Sequence, residues 1–249
     1  MTTILVTGGT GTLGREVTDR LRTDGHEVRV LSRRSQPYAV DLRDGTGLDA
    51  AVDGVDTIVH CATTPRGGDD TAAGHLIEAA KRAGVPHLVH ISIVGVDRVP
   101  LRYYRVKRQV EQMVEDSGLG WTILRSTQFH DLVLRILTAA ARLPVMPLPA
   151  GVRLQSIDTG EVADRLAELA VVGPAGRLPE MGGPEVRELP ELARAYLRAT
   201  GKRRPLVPVP LAGKAYAGYR RGGHLTPRRA VGKATFEEFL TERCRRLQG

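Results

Sequence analysis

The chain has 249 residues, of which 41% are hydrophobic and 26% are charged, as expected of a globular protein with a sizeable core. No apolar run reaches the ~18 residues that a membrane span needs, and no secretory signal is visible, so we expect a cytoplasmic protein without membrane contact. Its two cysteines, Cys61 and Cys244, exclude a disulfide framework and a cysteine metal site, and we expect no metal.

The net charge of +8 is unevenly distributed. Residues 196–249 contain 13 Lys and Arg against 3 Asp and Glu, whereas the remaining residues contain 23 against 25. A basic segment is typical of a nucleic-acid surface or of a contact with an acidic partner. We favour a solvated surface, because this segment offers no recognised nucleic-acid-binding fold.

A glycine-rich turn dominates the N-terminal part of the sequence. It reads TGGTGTLG over Thr7 to Gly14, follows the apolar run Ile4-Leu5-Val6, and leads into Leu13, Val17 and Leu21 at helical spacing. Strand, glycine turn and helix in this order aim the N–H groups of a helix start at a phosphate. The pattern predicts a dinucleotide site rather than a plain turn. The expected contacts are Gly8, Thr10, Gly11, Thr12, Leu13 and Gly14.

The next segment indicates which dinucleotide is bound. We expect a helix over Thr12 to Thr23, ended by Asp24-Gly25, and a second strand over Glu27 to Ser32. A site for NAD usually places an acidic residue at the end of this strand, but here the chain reads Ser32-Arg33-Arg34. A guanidinium pairs with a phosphate, so we predict NADP(H) in preference to NAD(H). The alternative is a pair of surface arginines.

Two further strands are predicted before residue 63. Tyr38 to Leu42 is a short third strand, in which Asp41 either accepts a hydrogen bond from adenine or caps a helix near Asp44. Val55 to Ala62 is an apolar fourth strand, suited to burial on both faces. We expect further cofactor contacts from Asp41, Leu42, Ala62, Thr63 and Thr64.

Helices and strands then alternate. Asp69 to Gly84 is helical, His87 to Val94 is a strand with His90 as a core or strand-edge residue, Tyr103 to Asp116 is helical, and Trp121 to Arg125 is a strand. Alternation with short connections predicts an α/β fold with a doubly wound, Rossmann-like parallel sheet.

The later sequence predicts a smaller lobe. Proline interrupts the helical pattern between 143 and 149, and the prolines of Pro205 to Pro210 confine an extended segment to a sheet edge. The other predicted elements are helices at Phe129–Leu143, Thr159–Ala170 (capped by Thr159 or Asp158), Leu189–Ala199 and Thr235–Leu247, and an extended piece at 150–158.

We interpret the chain as one NAD(P)-binding domain, 1–249. Its Rossmann core covers 1–126 and 157–172, and 127–156 with 173–249 form a small C-terminal lobe on the substrate side. Gln128, Phe129 and His130 are expected to line the substrate pocket, although His130 alternatively caps the following helix.

A tyrosine and a lysine suggest the chemistry. Tyr103 and Lys107 are four residues apart, so both project from one face of a helix. A nearby ammonium favours the phenolate and also serves to hold a nicotinamide ribose. With Ser92 polarising a carbonyl, Tyr103 would deliver a proton while the cofactor delivers hydride. The alternative is a surface pair at helical spacing.

The chain resembles the atypical short-chain dehydrogenases/reductases of the NmrA-like group. The resemblance rests on the Thr7–Gly14 turn, the Tyr-x-x-x-Lys pattern from Tyr103 to Lys107, the segment Trp121 to Phe129, and Ile157 to Ala163. It implies a nicotinamide dinucleotide across the carboxyl ends of the strands, near Gly8, Gly11, Gly14, Arg33, Asp41 and Lys107. In departure from active members, Ser92 precedes Tyr103 by only 11 residues.

These features lead to one main hypothesis and several alternatives. The first is an NADPH-dependent oxidoreductase of a small carbonyl- or quinone-like compound. The second is a non-catalytic NADP(H)-binding redox sensor, since some members of the resembled group only bind cofactor. An isomerase or dehydratase with a tightly held cofactor, and nucleic-acid binding through the basic segment, are further alternatives. Substrate identity and oligomeric state are not predicted.

Overall fold

The computed structural model describes residues 1–64 and 67–246. Within them the chain forms two compact units. The first unit comprises Met1–Ser92, Arg102–Arg125 and Gly160–Pro179, and the second comprises Ile93–Leu101, Ser126–Thr159 and the chain from Glu180. The proposed substrate-side role of the predicted lobe stays a prediction.

The strands and helices alternate through the first half of the chain. The strands are β1 Thr3–Thr7, β2 Glu27–Leu31, β3 Thr57–His60, β4 His87–Ile93, β5 Gly120–Ser126, β6 Met146–Pro149, β7 Arg153–Leu154, β8 Gly176–Arg177, β9 Arg187–Glu188 and β10 Leu206–Val209. The helices are α1 Thr12–Thr23, α2 Leu48–Val52, α3 Asp69–Arg82, α4 Arg102–Glu115, α5 His130–Ala140, α6 Thr159–Val172, α7 Leu189–Thr200, α8 Lys214–Arg220 and α9 Phe236–Arg246, with a short 3-10 turn at Pro227–Arg229.

The predicted parallel sheet is confirmed. Six strands lie in the order β2-β1-β3-β4-β5-β8. In register, Val6 lies beside Val30 on β2 and Val59 on β3, and His60 lies beside His90 on β4. Every residue of β3 is buried, as the continuous apolar run predicts for a strand covered on both faces.

Apolar side chains of α1 and α3 are buried in the first unit. In α1 the buried positions include Leu13, Val17 and Leu21, and Gly25 ends this helix with φ +81°, the left-handed conformation expected there. A hydrophobic cluster that includes Leu5, Ile58, Leu76, Leu88 and Ile123 forms the centre of this core.

The predicted third strand is wrong. Over Tyr38 to Leu42 the described chain forms only one isolated bridge, between Ser32 and Ala39. Pro37 has no N–H to donate just before this segment, and the chain turns immediately after it, where the Asp44 and Gly45 amides donate to the Asp41 carbonyl. Too few residues therefore remain between the proline and the turn to extend a strand. The short β8 replaces it as the sixth strand but was not predicted.

The second unit has its own core and two small sheets. β6 pairs with β10 in parallel, and β7 pairs with β9 in antiparallel orientation, so the extended segments predicted around 150–158 and 205–210 are present. Val133, Met146, Leu192, Tyr196 and Phe236 belong to one buried cluster. The sequence did not predict α8 or the 3-10 turn. The last predicted helix is confirmed as α9, and Leu247 lies outside the described residues.

Among the residues that the structure describes, none of the helices has both the length and the apolar character needed to cross a membrane. The same residues contain no group of three or more His, Cys, Asp or Glu side chains that could hold a metal ion.

Candidate active site in the first unit

The glycine turn lies between β1 and α1, and the structure explains its residue choice. Gly8 has φ +67°, and a Cβ there would meet the Ala62 Cα and N atoms at 2.8 Å. A Cβ at Gly14 would meet the Gly8 carbonyl oxygen at 2.3 Å, so the start of α1 packs against the turn as closely as the backbone allows. A Cβ at Gly11 would lie 3.2 Å from the same Gly8 carbonyl oxygen, which is a tight contact but a less severe one.

The N-terminus of α1 has free hydrogen-bonding capacity. Gly11 occupies the N-cap position, and no side chain caps the first turn. Unpaired N–H groups and the positive end of the helix dipole favour an anion at this position. Of the other predicted contacts, Thr10 and Thr12 are exposed and Leu13 is buried. The uncapped start of α1 thus fits the pyrophosphate of a dinucleotide, and the glycines at 8 and 14 let the turn and the helix pack closely enough to present these N–H groups.

The segment after β2 carries exposed arginines. Arg33 and Arg34 are both exposed, and the Ser32 hydroxyl lies 2.7 Å from the Ser35 hydroxyl and 3.2 Å from the Arg34 amide nitrogen that donates to it. This leaves both guanidinium groups on the surface next to the end of the strand.

Asp41 is held by a neighbouring arginine. Its carboxylate accepts bonds from Arg43 Nε at 3.1 Å, Nη2 at 2.7 Å and the backbone amide at 3.0 Å. These bonds, with a smaller contribution from Arg33, lower the pKa of Asp41 to about 2. Asp41 does not cap a helix, since α2 begins at Leu48 after Gly47. Leu42 is buried in the core, so its side chain is not available to a ligand.

The carboxyl end of β3 brings together residues that the sequence did not connect. The Asp69 carboxylate, at the start of α3, accepts a bond from the Thr63 hydroxyl at 2.6 Å and one from the Thr64 amide at 2.9 Å. Asp69 Oδ2 also lies 2.9 Å from Lys107 Nζ, and both side chains are about 95% buried. Lys107 and these donors outweigh the effect of burial and lower the pKa of Asp69, so it is ionised at neutral pH.

Tyr103 joins this cluster from α4. Its hydroxyl lies 3.0 Å from the Thr63 hydroxyl, and Lys107 Nζ lies 5.8 Å from the centre of its ring. Tyr104, the next residue along α4, is 3% exposed and belongs to the core. Tyr103 and Lys107 therefore share one side of α4, as their spacing predicts.

Two buried histidines lie behind the lysine. His60 and His90 occupy paired positions on β3 and β4, and their rings stack with centroids 5.2 Å apart. His60 Nδ1 is 2.7 Å from the Thr7 hydroxyl. Burial, and then the Lys107 charge, lowers the pKa of His60 to about 4. Burial, His60 and Lys107 lower the pKa of His90 well below its usual value. Both rings are neutral at physiological pH, and His90 is a core residue as expected.

Ser92 lies next to a different carboxylate. Ser92 is 2% exposed. Burial alone would raise the pKa of Glu111, but hydrogen bonds from Arg125 and, to a smaller extent, from the Ser92 hydroxyl lower it overall. The predicted role of Ser92 toward a substrate carbonyl remains a prediction.

The predicted substrate residues lie in the second unit. Gln128 and Phe129 are partly buried. His130 is 1% exposed. Its Nε2 donates to the Ala234 carbonyl at 3.0 Å, which leaves Nδ1 to accept from the Ser156 hydroxyl at 2.9 Å. Both ring nitrogens are thus engaged within the protein, and no side chain caps α5. The capping role is not found, and the role of His130 at the substrate pocket stays a prediction.

Asp69 is the main residue that sequence reasoning missed. It was predicted only as the first residue of a helix. The signal available was an acidic residue at a helix start just after Thr63-Thr64 at a strand end, but the contact with Lys107 joins positions 38 residues apart. Local spacing does not predict such a contact.

Comparison with known proteins places this site in context. The chain is 33% identical over 213 residues to (4-alkanoyl-5-oxo-2,5-dihydrofuran-3-yl)methyl phosphate reductase from Streptomyces griseus, a match that covers 80% of this chain and 74% of the relative. It is 31% identical over 214 residues to the NAD(P)H azoreductase of Xenophilus azovorans, with the same shares covered.

Solved structures show the same fold. The NADPH-dependent quinone oxidoreductase of Escherichia coli, crystallised with NADPH, superposes with a TM-score of 0.81 at 22% identity, covering 96% of this chain and 99% of the other. A UDP-glucose 4-epimerase from Thermus thermophilus in complex with NAD superposes with a TM-score of 0.74 at 21% identity and covers 99% of each chain.

The resemblance to NmrA-like proteins is consistent with these matches. Residues 8–170, which run from the glycine turn through α4 into α6, match the NAD(P)H-binding family. The chain belongs to the NAD(P)H-binding family of Rossmann-like oxidoreductases.

Proposed function

We propose that the protein is an NADPH-dependent oxidoreductase that reduces a small carbonyl- or quinone-like compound. The observation that carries this proposal is the cluster of Tyr103, Thr63, Asp69 and Lys107, which sets an acid-base side chain beside a buried ammonium at the carboxyl end of β3. Relatives named as reductases support the class of reaction, and the E. coli quinone oxidoreductase 2, at 26% identity, supports the type of acceptor.

The glycine turn, Ala62, Thr63 and Thr64 would hold the cofactor together with Lys107. When bound, a reduced nicotinamide supplies hydride to a carbon of the acceptor. Tyr103 would supply the proton to the acceptor oxygen. The ammonium of Lys107 would stabilise the phenolate that remains, since a positive charge nearby favours the ionised phenol. One ammonium N–H is engaged by Asp69, which leaves two to donate to ribose hydroxyls.

The preference for NADPH rests on Ser32, Arg33 and Arg34. Arg33 and Arg34 are exposed at the end of β2, where a 2′-phosphate lies in proteins of this fold, and a guanidinium binds phosphate through two parallel bonds. Asp41 would repel a phosphate, but its carboxylate is paired with Arg43. Asp41 as the acceptor of the adenine amino group remains part of this proposal.

Activity is tested with NADPH and a panel of ketones, enones, quinones and azo compounds, following the loss of reduced-nicotinamide absorbance. We expect oxidation with at least one acceptor and a loss of about 100-fold or more in kcat for Y103F. Calorimetric binding of NADPH without any oxidation would instead support the non-catalytic sensor, and full activity in Y103F would rule out this tyrosine as the acid.

Cofactor preference is tested by R33E. We expect the affinity for NADPH to fall by about tenfold or more and that for NADH to change little, because the removed group pairs only with the 2′-phosphate. R22E is the matched control, since it makes the same charge change on the exposed last turn of α1. Equal affinities for both cofactors in the wild-type protein would contradict the preference.

A further inference from the structure

The hydroxyl of Thr63 lies between a carboxylate and a phenol. It is 2.6 Å from Asp69 Oδ2 and 3.0 Å from the Tyr103 hydroxyl. A threonine hydroxyl has one proton to donate and two lone pairs. Asp69 is ionised, because Lys107 and its hydrogen-bond donors lower its pKa, and an ionised carboxylate only accepts. Thr63 therefore donates to Asp69, and Tyr103 donates its phenolic proton to Thr63.

Asp69 is fixed in this orientation. Its Oδ1 accepts from the Thr64 amide at 2.9 Å, and its Oδ2 pairs with Lys107 at 2.9 Å. It also stands in the first turn of α3, where the helix dipole favours a negative charge. The carboxylate is held from three directions, so the direction of the bonds through Thr63 is part of the folded structure.

We propose that Asp69 is a positioning residue for Tyr103: acting through Thr63, it makes the phenol a hydrogen-bond donor in the resting protein and so keeps it protonated until an acceptor binds. This inference rests on the proposed role of Tyr103 as the proton donor. A phenolate formed in the resting protein would face the lone pairs of Thr63, because the Thr63 proton is engaged by Asp69.

The bonds rearrange when the proton leaves. The Tyr103 O–H would turn toward the acceptor oxygen, its O–H bond would break and the O–H bond of the product would form; a bound NADPH would supply the hydride. Lys107 would then stabilise the phenolate, while Thr63 keeps its bond to Asp69. Water returns the proton to Tyr103 after product leaves.

The other ionisable groups around this cluster do not interfere. From β3 and β4, His60 and His90 face Lys107 and are uncharged above their lowered pKa values. Burial raises the pKa of the Cys61 thiol to about 12. The charged side chains in contact with the cluster are Asp69 on α3 and Lys107 on α4, and Arg102 and Arg105, which flank Tyr103 on α4, are exposed to solvent.

The test is an ultraviolet titration of Tyr103 in the cofactor-free protein, isolated by subtracting the titration of Y103F. T63V removes the acceptor of the phenolic proton but leaves the Asp69–Lys107 pair intact. T63S retains a hydroxyl at the same position. Thr63 is exposed, so neither change should prevent folding, and melting curves verify this.

We expect the titration curve of Tyr103 to move to lower pH in T63V, because the neutral phenol loses its acceptor, and to return to the wild-type curve in T63S. D69N should move the curve in the same direction, because Thr63 is then free to donate to the phenolate and a nearby negative charge is removed. Coincident titrations of wild type and T63V would overturn the proposal, as would equal shifts in T63V and T63S, which would indicate a change in packing. A purely structural role of Thr63 would lower the melting temperature of T63V without moving this titration.

The titration needs no turnover, so it is independent of the proposed reductase activity. If NADPH is never oxidised but T63V shifts the titration, the positioning role stands and the reaction is wrong. If NADPH is oxidised but the titration does not move, the reaction stands and the positioning role is wrong.

Discussion

Two buried carboxylates in the first unit, Asp69 and Glu111, have different kinds of partner. Glu111 accepts from Arg125 Nε at 2.8 Å and Nη2 at 2.7 Å, and also pairs with Arg108 and Arg177 at 3.0 Å. Guanidinium groups stay protonated, so this cluster joins α4, β5 and β8 without moving protons. Asp69 instead pairs with an ammonium and two threonines, next to the half-buried phenol of Tyr103. Both carboxylates are buried, so burial does not distinguish a candidate site from a structural ion pair. The distinction lies in whether the groups bonded to the carboxylate can take part in proton transfer.

The largest expected effect comes from E111A. It leaves the nearly buried guanidinium of Arg125 without its carboxylate, and breaking a buried pair in this way costs about 3–5 kcal/mol in the free energy of unfolding. Cofactor affinity of the folded variant should not change. Urea unfolding and calorimetry measure both quantities. E168A is the matched control, because its pair with Arg165 is exposed and contributes at most about 0.5 kcal/mol. A loss of NADPH binding in folded E111A would remove the distinction between the two clusters.

As the pH falls, protonation of His60, which lies next to Lys107, should destabilise the protein before Glu111 is protonated. The pKa of His60 falls from 6.5 to about 4 on folding, so its contribution to stability is present above pH 6.5 and is lost as pH falls toward 4. The shift corresponds to roughly 3 kcal/mol. Carboxylates with lowered pKa values, such as Glu111, respond at lower pH. Unfolding free energies measured between pH 7 and 4 should therefore fall less steeply in H60N/H90N. An unchanged slope in that variant would contradict this.

A smaller coupling energy is expected between Asp69 and Lys107. D69N and K107M each leave the other partner buried without its counter-charge, whereas the double variant D69N/K107M leaves neither charge. The double variant should be more stable than the sum of the single changes predicts, by about 2 kcal/mol, yet remain impaired in NADPH oxidation. Additive losses in denaturant unfolding would show that the pair does not act as a unit.

The sequence predicted the parts of the first unit that local pattern controls. Apolar runs gave β1 to β5, helical spacing gave α1, α3 and α4, and the glycines at 8 and 14 correctly marked a turn without room for side chains. The strand predicted at Tyr38 to Leu42 failed because alternation over five residues does not outweigh a proline before it and a turn after it. The two-residue β8 has too few residues to show a pattern.

Within the candidate site, the spacing of Tyr103 and Lys107 on one helix correctly predicted their common face. It did not predict Asp69, because the ion pair depends on how α3 and α4 meet. The sequence also did not predict that both ring nitrogens of His130 would form hydrogen bonds, one with the Ser156 hydroxyl and one with the Ala234 carbonyl. The roles of these residues toward cofactor and substrate stay predictions.

The contact between Gly8 and Ala62 has a mechanical consequence. The turn that would grip the pyrophosphate lies directly against the residue that precedes Thr63. Any side chain introduced at position 8 would push the end of β3 aside and take Thr63 out of line with Tyr103. The proposed phosphate site and the proposed proton donor thus lie against the same stretch of backbone, and we expect an alanine at position 8 to weaken nucleotide binding and proton delivery together.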